Sequence, residues 1–99
     1  MQYSVIMSLN FFSWFDALKD RRATAAIASR LKRAERGNLG DCKPVGHGVS
    51  EMRVDVGPGY RLYFCIKGNT IVLMLAGGDK STQQSDIAAA IQLAGEISL

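Results

Sequence analysis

The sequence holds little of the usual equipment for metal or nucleophile chemistry. Its 99 residues include one histidine, His47, and two cysteines, Cys42 and Cys65. The cysteines have no CxxC spacing and no histidines at zinc-ligand distance, so they read as two reduced thiols. There is no Walker loop, GxSxG, HExxH or EF-hand pattern, and no clustered carboxylates, so neither a metal nor a cofactor is expected. No run of 18 apolar residues occurs, and the N-terminus lacks a charged n-region; no membrane span or signal peptide is expected, and the cytoplasm is the default compartment. Repeats, low-complexity stretches and interdomain linkers are absent too. With 47% hydrophobic and 21% charged residues, the composition is that of an ordinary globular domain, and residues 1–99 are expected to form one.

The net charge of +3 hides an uneven distribution. Lys19 to Arg36 carries seven cations against Asp20 and Glu35, while residues 81–99 carry Asp86 and Glu96 and no cation. One strongly basic element is therefore more informative than the total.

Tyr3 to Met7 is β-branched and aromatic and predicts a strand. Ser8 or Asn10 can cap a helix whose face is Phe11, Trp14, Phe15 and Leu18. A second helix, about Arg21 to Arg36, has Ala23, Ile27, Leu31 and Ala34 on one side. Arg22, Arg33 and Arg36 lie roughly opposite, as a solvated face or as a surface for phosphate backbone. Gly37 ends that helix, and Asp20 between the two predicts an αα-hairpin.

Residues 37–48 read as a glycine-rich loop. Three strand-like runs follow. Val49 to Val56 and Tyr60 to Ile66 alternate, and Ile71 to Ala76 is apolar throughout, as for a strand buried on both faces. Gly57-Pro58-Gly59 and Gly68-Asn69 supply the turns. Pairing Val56 with Tyr60 puts the apolar sets of both strands on one face, Arg53 opposite Tyr63 and Asp55 opposite Arg61. Glu51, Arg53, Arg61 and Tyr63 then share the other face. Gly77-Gly78 is expected to end the third strand. A Ser81–Gln84 capping box then starts a last helix with Ile87, Ala90, Ile91 and Ala94 inward, ended by Gly95. The order is β-α-α-β-β-β-α, an α+β fold.

The charged set on that hairpin face suits metal-free RNA cleavage. A 2′-OH attacks its own phosphate when a base takes its proton and cations stabilise the phosphorane. Glu51 or His47 fits the proton work. Arg53, Arg61 and Lys80 fit the phosphate, and Lys43 lies in the loop before. The plainer reading is a set of cross-strand ion pairs on an open sheet face. Tyr60 and Tyr63 are core or rim residues, or platforms for stacking bases.

A run of short words carries a family resemblance across nearly the whole chain: WFDALKD from Trp14, RLKRAERGNLGD from Arg30, KPVGHG from Lys43, Glu51-Met52-Arg53, GPGYRLYF from Gly57, and GGDKSTQ from Gly77 followed by Asp86-Ile87. In this order and spacing the sequence resembles RelE/ParE-superfamily toxins, in the small HigB-like branch of addiction module killer proteins. The resemblance implies a two-helix hairpin on a small, mostly antiparallel sheet. It implies the toxin of a type II toxin–antitoxin system, whose antitoxin is a small helix-turn-helix DNA-binding protein and which reaches operator DNA only through that partner. For the best-understood members it implies metal-independent mRNA cleavage on the ribosome. Arg61 in Gly59-Tyr60-Arg61-Leu62 matches the arginine such nucleases place on the scissile phosphate, and Arg53 and Lys80 fall near further basic positions. Lys43, Arg22, Arg33, Arg36 and Tyr63 are then the expected RNA contacts. The C-terminal catalytic tyrosine of RelE is missing, since Thr82 to Ile87 contains none, so His47, Glu51 or the ribosome itself must stand in. The superfamily also holds ParE toxins that poison DNA gyrase, and members that chiefly bind antitoxin; fold alone does not choose among them.

Overall fold

The computed structural model describes residues 2–68 and 70–97. Five strands and three α-helices follow one another: β1 (Ser4–Met7), α1 (Leu9–Ala17), α2 (Arg21–Glu35), β2 (Cys42–Gly46), β3 (Val49–Val54), β4 (Tyr60–Lys67), β5 (Ile71–Asp79) and α3 (Gln83–Glu96), with a short 3₁₀ turn over Lys80–Thr82 before α3. The strands form one sheet in the order β1-β5-β4-β3-β2, antiparallel except where β1 runs parallel to β5. The α+β class and the mostly antiparallel sheet are as expected, with one strand more than the sequence pattern predicts. No helix among the described residues is long and apolar enough to cross a membrane.

The helices form where their caps and faces say they should. Ser8 Oγ accepts from the Phe11 amide at 3.0 Å, so Ser8 rather than Asn10 caps α1. Asp20 Oδ1 accepts from the Arg22 and Ala23 amides and caps α2, and Gly37, at φ 91°, follows its last turn. Ile27, Leu31 and Ala34 are buried against Met52, Val54, Leu62, Phe64, Val72 and Met74, with Phe11 of α1 in the same cluster, and Ala23 is buried too. The opposite face of the sheet, through Val49, Tyr63, Cys65, Leu73 and Leu75, packs on α3. The sheet is thus sandwiched, which is why β5 reads as apolar throughout.

Four local expectations are corrected. The 37–48 segment is not all loop: Cys42–Gly46 pairs with β3 as an edge strand, where Pro44 is tolerated because its missing donor faces no neighbour. The β3–β4 register is two residues from the expected one, with Val54 rather than Val56 opposite Tyr60 and Arg53 opposite Arg61. An even slip keeps every side chain on its face, so the apolar and charged sets survive it. Strand β5 runs on through Gly77 and Gly78 to Asp79, because both glycines take side chains from neighbouring elements: Trp14 over Gly77, Asp86 and Thr82 over Gly78. At its other end α3 starts without a side-chain cap, and Asp79 instead accepts from Ser81 N at 2.8 Å; the helix continues past Gly95 to Glu96. The expected Gly68-Asn69 turn includes Asn69, which lies outside the described residues.

A β-bulge at Leu75 sets the geometry of β5. Tyr63 pairs with Ala76 and Phe64 with Met74, which leaves Leu75 out of the ladder. Its carbonyl is taken up by Ser8 Oγ at 3.0 Å and Asn10 Nδ2 at 3.1 Å. The bulge joins the start of α1 to the middle of the sheet, and beyond it the glycines face their partners.

Candidate functional site

At the end of the β3–β4 hairpin lies a cleft of about 250 Å³ lined by Asp41, Arg53, Val54, Asp55, Gly59, Tyr60, Arg61 and Lys80. Three cations from three elements meet here. Arg53 is the last residue but one of β3, Arg61 the second of β4 directly opposite it, and Lys80 opens the turn after β5. Gly59, at φ 83°, lets the chain turn back into β4, and a Cβ there would touch Lys80 Cε at 3.6 Å. Asp79 holds the Lys80 turn by accepting from both the amide and the hydroxyl of Ser81, contacts that hold its carboxyl below the usual range. Tyr60 lines the wall, its ring edge-on to Trp14 at 6.2 Å.

Beneath the cleft Glu51 is fully buried. Its Oε2 lies 3.2 Å from Arg53 Nε and 3.6 Å from Arg61 Nη1. Its Oε1 accepts from Gln83 Nε2 of α3 at 2.9 Å and from the Tyr63 hydroxyl at 3.5 Å. The face expected to be open is therefore roofed at Glu51 by α3. Tyr63, also fully buried, has its phenol pushed well up, first by burial and then by the negative charge of Glu51 and Asp86. Arg61 is 14% exposed, and its Nε has no partner among the described residues.

The family model described as "Phage derived protein Gp49-like (DUF891)" matches residues 13–97. The chain belongs to this family. An uncharacterized protein of Haemophilus influenzae is 46% identical over 99 residues, the whole of both chains. Among solved structures, a mutant of the E. coli toxin RelE in the free state superposes with a TM-score of 0.77 at 14% identity, over 94% of this chain and 98% of that one. A chain of the toxin–antitoxin complex RelBE2 from Mycobacterium tuberculosis gives 0.65 at 24% identity, over 81% of this chain and 100% of that one. The Gp49-like chain thus has the RelE fold, the fold that the resemblance read from its sequence implies.

The fold gathers some of the expected site residues and separates others. Arg53, Arg61 and Lys80 share the cleft. Glu51 is next to it but sealed from solvent, with both oxygens engaged. Tyr63 offers no face to a base, because burial removes the ring from any ligand; Tyr60 is the tyrosine that lines the cleft. His47 stands apart. It occupies the β2–β3 turn at φ 55° and lines a different depression with Cys65, Lys67 and Ile91. Six residues of strand separate it from Arg53, about 20 Å at the usual rise. Lys43 is exposed on edge strand β2 opposite Glu51. Arg22, Arg33 and Arg36 are exposed on α2, which packs on the sheet face away from Glu51.

Sequence reasoning did not single out Gln83, Asp79, Asp41 or Arg30. Arg30 of α2 turns to the sheet: its Nη1 donates to the Arg53 carbonyl and its Nη2 to the Leu39 carbonyl at 3.1 Å. Burial, and then the neighbouring Arg33, lower its pKa. Its place beside Ala34 and Leu31 in the helical pattern was the only available signal. Its partners are backbone carbonyls, which a sequence does not advertise.

Proposed function

We propose that this protein is the toxin of a type II toxin–antitoxin system and inhibits translation as a metal-independent, ribosome-dependent mRNA endonuclease in the cytoplasm. The observation that carries the reading is the convergence of Arg53, Arg61 and Lys80 on one cleft of a RelE fold. Arg61 and Arg53 hold the scissile phosphate, with guanidinium geometry suited to two of its oxygens, and Lys80 adds charge at the mouth. The substrate's 2′-OH attacks the adjacent phosphorus, the bond to the 5′-oxygen breaks as that oxygen takes a proton from water, and the three cations stabilise the negative charge that builds on the phosphorane. Glu51 has no oxygen free for the 2′-OH proton and His47 is distant, so the ribosome–mRNA complex supplies the base. Tyr60 stacks on a base beside the phosphate, and Arg22, Arg33, Arg36 and Lys43 contact ribosomal RNA backbone.

The partner that restrains the toxin is an antitoxin, a small helix-turn-helix protein through which the complex reaches operator DNA. In support, the Mycobacterium tuberculosis neighbour of this fold is a chain of a toxin–antitoxin complex.

The test is transcript 5′-end mapping after brief induction of wild type and Arg61→Ala without antitoxin. Expected are new cuts within translated regions for the wild type and none for the variant. Growth arrest with intact transcripts and trapped DNA breaks moves the reading to a gyrase poison. Normal growth leaves a protein that chiefly binds antitoxin.

A further inference from the structure

Arg53 and Arg61 face each other across the β3–β4 ladder, where like charges repel. Nothing in the hairpin itself would aim both guanidiniums at one cleft. Glu51 supplies what is missing. It sits further in on the same face, fully buried, with one oxygen shared between the two arginines. Its second oxygen is tied down by Gln83 and Tyr63. Three hydrogen bonds and the Arg61 ion pair therefore fix a carboxylate that has no solvent to reorient it. Arg53 engages it through Nε, which leaves both terminal nitrogens of that guanidinium clear of Glu51; Arg61 engages it through Nη1, which leaves Nη2 clear.

We propose that Glu51 is a positioning residue: anchored by Gln83 of α3, it holds the guanidiniums of Arg53 and Arg61 side by side and turned toward the cleft, and never touches the substrate itself. The inference rests on the phosphate-binding reading of the cleft given above. It also assigns Gln83 a part, as the link that makes the setting of the arginines depend on the seating of α3. Removing the charge while keeping the shape frees both arginines to swing apart, and a phosphate-holding group misplaced by about 1 Å costs on the order of 10²-fold in rate.

The experiment compares wild type, Glu51→Gln, Glu51→Asp and Gln83→Ala on ribosomes programmed with a short mRNA, in single turnover and across pH. Each protein is first checked for a folded circular-dichroism spectrum and a cooperative melt. Glu51→Gln should cleave about 10²-fold more slowly at saturation, with half-saturation within about threefold of wild type. The pH profile should keep its shape, because a positioning residue exchanges no proton with the substrate. Gln83→Ala should show a smaller loss of the same kind, and Glu51→Asp should recover part of the rate. A folded Glu51→Gln that cleaves at the wild-type rate overturns the proposal. So does a variant that loses only the acid limb of the profile, which would make Glu51 a general base. The second readout needs no activity: the side-chain Nε–Hε NMR signals of Arg53 and Arg61 should be ordered in wild type and averaged in Glu51→Gln. If the wild-type protein leaves mRNA intact, the nuclease reading fails by itself, and the arginine signals still decide whether Glu51 orders the pair. Signals unchanged between the two proteins refute that ordering.

Discussion

Replacing Gly77 by alanine should destabilise the protein by about 3 kcal/mol, although alanine is the better β-strand residue of the two. The reason is the Trp14 indole. Gly77 lies in β5 under that ring, and a Cβ would come to 2.7 Å of Trp14 Cδ2 and closer to two further ring atoms. The ring has no easy retreat, since Phe11 lies on one side at 5.7 Å between centroids and Tyr60 on another at 6.2 Å. Overpacking of this kind costs about 1–3 kcal/mol, and a flanked indole belongs at the upper end. For a chain of this size that corresponds to a melting temperature lower by roughly 12–24 °C. Gly95 is the control. It lies in the last turn of α3 and, its own helix backbone aside, no atom of the described residues comes within 4 Å of where an alanine methyl would stand, so Gly95→Ala should stabilise by about 0.5–1 kcal/mol. The assay is urea unfolding followed by circular dichroism, with differential scanning calorimetry alongside. Trp14→Phe combined with Gly77→Ala should recover at least about 1 kcal/mol relative to additivity, because the smaller ring leaves room. A Gly77→Ala protein as stable as wild type, or the same sign of effect at both glycines, would refute the reasoning. Because Tyr60 rests on Trp14 and lines the cleft, the variant should also cleave more weakly than its loss of stability accounts for.

Tyr63 predicts an alkaline limb in stability: its phenol is held above the ordinary value of 10.0, so above that pH the unfolded chain loses a proton that the folded chain keeps. Stability should be full below about pH 10 and fall as the pH rises past it, and Tyr63→Phe should flatten the fall; urea midpoints from about pH 8 to 11 measure this, and equal slopes for both proteins would refute it. On the basic helix, Arg22→Glu/Arg33→Glu/Arg36→Glu should weaken ribosome binding and reduce its salt dependence without altering the melting temperature by more than a few degrees. Sedimentation with ribosomes at graded salt tests it, and an unchanged salt slope would show that face to be merely solvated.

Much of the fold was legible because periodicity and caps are local. The alternation of β3 and β4 fixes which side chains share a face. The even slip of the hairpin from Val56–Tyr60 to Val54–Tyr60 left that reading intact while lengthening the loop. The α2 pattern and the Asp20 cap gave its bounds to within a residue. Strand β2 escaped because Pro44, Gly46 and Gly48 are loop signals anywhere except at a sheet edge. The reach of β5 escaped because two glycines in a row look like a stop unless the rings and carboxylates above them are known.

Residue type and order suffice to say which side chains are cationic, which faces are apolar, and that Arg53, Arg61 and Glu51 stand on one side of a hairpin. These follow from chemistry and a period of two, and need no knowledge of what lies above the sheet. What the three residues are to one another came only with the packing of distant segments. Laying α3 on that face roofs Glu51 and brings Gln83 to Oε1, the oxygen that also accepts from the Tyr63 hydroxyl of β4. The realised register sets Arg53 against Arg61. The same sheet carries His47 to the far end of β3. An exposed carboxylate is a base in waiting, whereas a buried one held by three hydrogen bonds and a further ion pair is a fixed point, and burial is a property of the whole chain rather than of any segment of it.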